Sequence, residues 1–164
     1  MASTEDVGEK LLMRTEVRIE ATNTPDKLVY LPVDTGPVPM GMHGELAEHY
    51  QAPEGTPENP STLDYVIGAV AACLTGTFKR ALVARGVMPP LEDFDITATG
   101  DIVISDDVPV IRRINVEYVL YGTDPSHRDK IERAHTHHHK ACAVSRSVEA
   151  AIDITTNLTL KDTR

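Results

Sequence analysis

Cys73 and Cys142 are the two cysteines of this 164-residue chain, and their surroundings differ. Cys73 lies inside Ala69-Val70-Ala71-Ala72-Cys73-Leu74, an apolar run that by itself raises a thiol pKa and leaves the sulfur inert. A small buried core cysteine is the plain reading of that segment. Cys142 instead follows a histidine-rich stretch and stands beside Lys140 and Arg146. Nearby cations stabilise thiolate, and thiolate is the nucleophile. In a reducing compartment two cysteines are more often thiols with a chemical or packing role than a static crosslink.

The histidines suggest a second chemistry. His135, His138, His139 and Cys142 recur at i, i+3, i+4 and i+7, one face of a continuous helix, and imidazole with thiolate suits zinc. Four ligands along one straight helix cannot easily surround a single ion tetrahedrally, so the expectation is a cationic helix end and no metal. Such an end favours the Cys142 thiolate by charge alone. His137 falls off this stripe and faces water.

The elements that must position these groups follow from period and punctuation. Glu16 to Ala21 alternates polar and apolar, and Asn23-Thr24-Pro25-Asp26 supplies a turn before Lys27 to Val33, which gives a hairpin. Asp34 to Pro60 carries Pro37, Pro39, Pro53, Pro57 and Pro60 with Gly36, Gly41, Gly44 and Gly55, so it reads as a long loop with a helical turn near Glu45 to Tyr50. Met40-Gly41-Met42-His43-Gly44 within it could line an apolar pocket, although ordinary loop packing is the simpler reading.

Ser61-Thr62-Leu63-Asp64 has the form of a capping box and opens a helix that is apolar nearly all round, hence central. Gly86 is its expected C′ residue, and Pro89 and Pro90 prevent continuation. Phe94 to Ile104 and Val110 to Tyr121 form a second hairpin about Ser105 to Pro109. Asp124-Pro125 opens a helix through about Lys140, Ser145 to Ala151 gives a short one, and Ile152 to Leu160 alternates as the final strand. The order β-β-α-β-β-α-α-β indicates an α+β fold, mainly antiparallel, with a long helix against the strands.

Composition bounds the rest. One domain is expected from the length, with residues 1–14 as a flexible N-terminus and residues 15–164 as the single domain. With no Trp and only two Phe, the core is expected to be aliphatic. A net charge of -9 with no basic run argues against nucleic-acid and membrane-surface partners. Met1 to Lys10 is polar and acidic, the opposite of an export signal, and the apolar stretch Tyr65 to Gly76 is short for a membrane span. A cytoplasmic protein is expected. So long an apolar helix exceeds what these few strands cover, which predicts a dimer.

The segment Asn59-Pro60-Ser61-Thr62-Leu63-Asp64 leading through Tyr65 to Leu74, and the later Ala141-Cys142-Ala143-Val144-Ser145-Arg146-Ser147-Val148, resemble the two cysteine motifs of the OsmC/Ohr family. The second motif is usually Cys-Pro-Val. With the element order, the resemblance spans about Glu16 to Leu160. It implies an intertwined homodimer that reduces organic hydroperoxides without metal, haem or flavin. Cys73 takes the peroxidatic role, Cys142 the resolving role, and an external dithiol restores both.

Three departures accompany the resemblance. The family's Gly-Gly-Arg-type motif is missing, and Arg14 and Arg18 are the nearest candidates by position, Arg18 being preferred. Asp64 falls near the family's glutamate. Ala143 stands in place of proline. A second reading therefore stays open: a non-catalytic binding protein of the same fold, taking an apolar small molecule in a dimer-interface pocket or a metal on the histidine stripe.

Overall fold

The computed structural model describes residues 10–22, 24–33, 36–88 and 93–164. Residues 1–9, Asn23, the start of the predicted loop at 34–35 and the helix-stopping Pro89 and Pro90 lie outside the described residues, as does most of the predicted flexible N-terminus. The chain divides into two compact units, Met1–Ser61 and Thr62–Arg164.

The first unit holds a three-stranded antiparallel sheet. β1 (Arg18–Ala21) pairs with β2 (Lys27–Tyr30), and β2 with β3 (Val38–Met40). β3 occupies part of the predicted loop. Its Pro39 cannot donate to a ladder, and an edge strand is where a sheet accepts proline. α1 (Gly44–His49) is the expected helical turn. Gly41 is forced by space, because a Cβ there would sit 2.1 Å from the Asp26 carboxylate.

The second unit is built on α2 (Thr62–Val83), which begins one residue after Ser61. Its end is a Schellman motif: Gly86, at φ +71°, donates its N–H to Val83 O, Val87 N–H reaches back to Leu82 O, and both Leu82 and Val87 are buried. Val70, Ala71, Leu74, Phe78 and Leu82 form the buried face. At 22 residues the helix is long and apolar enough to cross a membrane by length and composition alone, beyond the shorter stretch read from sequence. Here that apolar face packs on β4, β5, α3 and α4.

β4 (Phe94–Ser105) and β5 (Val108–Tyr121) form the second hairpin, turned by Asp106 and Asp107, both at positive φ as a two-residue primed turn requires. Opposite the break between Asp101 and Ile102, Arg112 is the extra residue on β5. The bulge flips the alternation: Pro109 and Ile111 point inward before it, and Ile114, Val116, Tyr118 and Leu120 after it. Gly100 of β4 lets α2 approach, since a Cβ there would meet Ile67 Cδ1 at 2.3 Å.

α3 (Arg128–His138) follows a 3-10 turn opened by Asp124, whose side chain accepts the Ser126 N–H. A second 3-10 turn, His139–Ala141, leads through Cys142 into α4 (Ala143–Val148). β6 (Asp153–Lys161) then pairs parallel to β5, with sheet order β4-β5-β6. The fold is α+β and, among the named strands of the described residues, antiparallel except for β5 and β6. The core is less aliphatic than composition suggested. Phe78 packs against Phe94, Tyr118, His135 and His138 with ring centroids 5.0–5.7 Å apart.

Candidate active site: two thiols at the start of a short helix

Cys73 sits on the flank of the buried face of α2, half-exposed, and packs against the core edge. Cys142 has extended backbone angles, φ -82° and ψ 111°, because it is the link between the 3-10 turn and α4. As N-cap of α4 it accepts the Ser145 N–H on its sulfur at 3.4 Å, and it is completely buried. A helix start has N–H groups with no intrahelical acceptor. The Val144 and Ala143 N–H groups and the Cys142 thiol lie beside the Cys73 sulfur and favour its thiolate. Both cysteines are free thiols.

These neighbours set opposite acidities. The Val144 N–H above all, then the Cys142 thiol and the Ala143 N–H, stabilise the Cys73 thiolate and pull its pKa below the ordinary thiol value against the opposing effect of burial. Burial pushes the Cys142 thiol up, helped by donation to Cys73, although the Ser145 N–H works the other way. The cations beside Cys142 in sequence do not decide its state: Lys140 and Arg146 are exposed, and neither figures among the causes of its shift. The proton of the pair belongs on Cys142.

Asp64 lies in the first turn of α2. Nine residues of helix separate it from Cys73, about 13 Å along the axis and on the opposite side. Arg18 is on β1 in the first unit, ion-paired with Glu20 at 3.3 Å and stacked 3.6 Å above the Tyr30 ring. Arg14 is exposed outside any strand.

The histidine stripe is not a ligand set. His138 is buried; its Nδ1 donates to His135 O at 2.6 Å, which leaves Nε2 to accept the Tyr118 hydroxyl at 3.3 Å. Both nitrogens are thus used, and burial lowers its pKa to about 4. His135 is held low by burial too, His139 and His137 are exposed, and no group of three or more metal-binding side chains converges among the described residues. The backbone donors to Cys73 and the Tyr118–His138 pair were not foreseen from sequence. The apolar alternation of β5, which places Tyr118 inward, was the one available signal for the latter.

The OsmC-like protein family model matches residues 55–157, which include both cysteines and all of α2. The chain belongs to the OsmC-like family. The fold likeness extends further: the OsmC-like protein of Mycoplasma pneumoniae superposes with a TM-score of 0.68 over 92% of this chain and 99% of that one, at 15% identity. An OsmC-like protein of unknown function from Vibrio cholerae gives 0.68 over 90% and 99%, at 13% identity. The organic hydroperoxide resistance protein of Bacillus subtilis gives 0.65 over 90% and 99%, also at 13% identity. No curated protein sequence matches this OsmC-like chain.

Proposed function

We propose that this OsmC-like protein is a thiol-dependent peroxidase that reduces organic hydroperoxides through Cys73 and Cys142, as a cytoplasmic homodimer with a dithiol as reductant. The observation that carries the reading is the partly exposed Cys73 sulfur, whose thiolate is favoured by two backbone N–H groups beside it and by a neighbouring thiol that keeps the proton. The Cys73 thiolate attacks the terminal peroxide oxygen. An S–O bond forms, the O–O bond breaks, and the alkoxide leaves with a proton as the alcohol. The Cys142 thiol then displaces water from the Cys73 sulfenic acid to give the disulfide, and the external dithiol exchanges with it to restore both thiols.

Family membership and the shared fold of a hydroperoxide resistance protein support this reading. Val66, Ala69, Ala72 and Val83 stay exposed on α2, which supports a second copy covering them. Asp64 and Arg18 are its candidate charged supports. The engagement of Arg18 by Glu20 and Tyr30 favours the second reading, a non-catalytic binder of an apolar small molecule.

The test is organic hydroperoxide consumption with a dithiol reductant by the wild type, Cys73→Ser and Cys142→Ser. Cys73→Ser is expected to abolish turnover, while Cys142→Ser completes one turnover and leaves a trappable sulfenic acid on Cys73. Equal behaviour of all three proteins would replace the peroxidase with the binder.

A further inference from the structure

Behind the two thiols lies a hydrogen-bonded chain that the peroxidase cycle, as set out above, does not use. Thr75, two residues beyond Cys73 on α2, lies beside the Tyr118 hydroxyl and favours its ionised form, and Phe78 of the same helix packs its ring on Tyr118 with centroids 5.0 Å apart. Tyr118 on β5 donates to His138 Nε2 at 3.3 Å, and His138 Nδ1 donates to the His135 carbonyl at 2.6 Å. Every donor in this run has one direction, because the last acceptor is a carbonyl that can only accept. Tyr118 is completely buried and His138 nearly so. Tyr118 is also close enough to Cys142 that a thiolate there hinders its ionisation.

Polar groups so placed are a poor choice for stability alone. Phe78 and Phe94 pack directly on Tyr118, and an apolar pair of similar volume would fill the same space without desolvating a hydroxyl and an imidazole. What the chain provides is geometry. One end packs on α2, against Phe78 and beside Thr75, which is two residues from Cys73. The other is fixed to the last residue of α3, from which a single 3-10 turn leads to Cys142, whose N–H is itself tied to His139 O at 3.0 Å. A strand residue thus sets the distance between the two thiol-bearing segments.

We propose that Tyr118 and His138, with Thr75, are positioning residues for disulfide formation: they hold Cys142 in register with Cys73. The inference rests on the two-thiol reading for its biological meaning, but the geometry concerns any oxidation that joins these sulfurs. Attack of one sulfur on another is sensitive to alignment, because a small displacement removes the in-line approach. None of Thr75, Tyr118 and His138 is among the groups that favour the Cys73 thiolate, which are Val144, Cys142 and Ala143.

Two measurements on Tyr118→Phe and on Tyr118→Phe/His138→Leu test it. In rapid mixing with an organic hydroperoxide, Cys73 sulfenic acid is expected to form within twofold of the wild-type rate, while its conversion to the disulfide slows by about tenfold and a dione trap labels more protein. With diamide as oxidant, disulfide formation is expected to slow by a similar factor, and this arm reads positioning even if the protein does not reduce peroxides. Wild-type disulfide rates in both arms would overturn the proposal. Equal slowing of sulfenic acid and disulfide formation would overturn it as well, by showing a general disturbance of the fold. Should both variants fail to fold, the isosteric Thr75→Val carries the test: slower disulfide formation supports the role and an unchanged rate rejects it.

Discussion

Cys73, partly exposed on α2, and Cys142, buried at the start of α4, lie in opposite surroundings. Cys73 is flanked only by apolar residues, yet its sulfur is the polarised one, because two N–H groups from the start of α4 reach it. Cys142 is flanked by cations, yet it is buried and holds its proton. Residues adjacent in sequence along a helix point in different directions, and an exposed Lys140 or Arg146 is screened by water. What lies opposite a thiol in the folded chain decides its acidity.

The sharpest way to break this comparison is a pH series of thiol alkylation on the reduced protein, with sites assigned by mass spectrometry. Cys73 is expected to react about a hundredfold faster than Cys142 at neutral pH, since the first combines access with thiolate character and the second has neither. Faster labelling of Cys142 would restore the reading from sequence neighbours.

The Cys142 side also carries a titration that the Cys73 side lacks. His138 titrates near 6.5 when unfolded and at about 4 when folded, lowered first by burial and then by the charges of His135 and His139, while its bond to the His135 carbonyl opposes the shift. Between those values the unfolded chain binds more protons. Stability is therefore full above pH 6.5 and falls by about 3 kcal/mol as pH drops to about 4, levelling off below. His135 adds to the loss in the same direction. Denaturant midpoints measured across this range should show the decline, and His138→Asn should flatten it. An identical slope in that variant would move the effect elsewhere.

Much of the frame was legible locally. The end of α2 at Gly86, the Asp124 cap and the hairpin turn before Pro109 each depend on residues within one turn of each other. The site was only partly legible. Both cysteines stand out by type, but the donors to Cys73 are backbone groups of Ala143 and Val144, about seventy residues away, and backbone N–H groups leave no trace in residue identity. The β3 strand was hidden by its proline, and the parallel placement of β6 by the helices that precede it.

Ala143 sharpens the comparison at a single atom. Ala143→Pro removes one of the two N–H donors to Cys73 and restores the usual family motif, while Ala143→Gly keeps the donor. Proline is tolerated at a first helical position, so the fold should survive. The proline variant is expected to move the alkylation profile of Cys73 to higher pH and slow its reaction at neutral pH by about tenfold, the worth of one lost charge-assisted bond. An unchanged profile would remove Ala143 from the site.

The smallest expected effect is that of the cations themselves. Neutralising both, as Lys140→Gln with Arg146→Gln, should change the alkylation rate of either cysteine by less than about twofold at moderate salt. A larger change in Cys142 would return those charges to the mechanism.

The parallel pairing of β6 with β5 has a consequence for the order in which this unit assembles. The hairpin of β4 and β5 closes across a two-residue turn, whereas β6 can dock only after the whole of Gly122 to Ile152 has been looped back. Contacts of such separation form late, because the entropy of closing the loop is lost before any strand bond rewards it. Cys142 and α4 lie within that loop. A chain still emerging from synthesis therefore displays Cys73 without the N–H groups that sharpen it, and the sulfur becomes reactive only when the rest of the unit has folded around its partner.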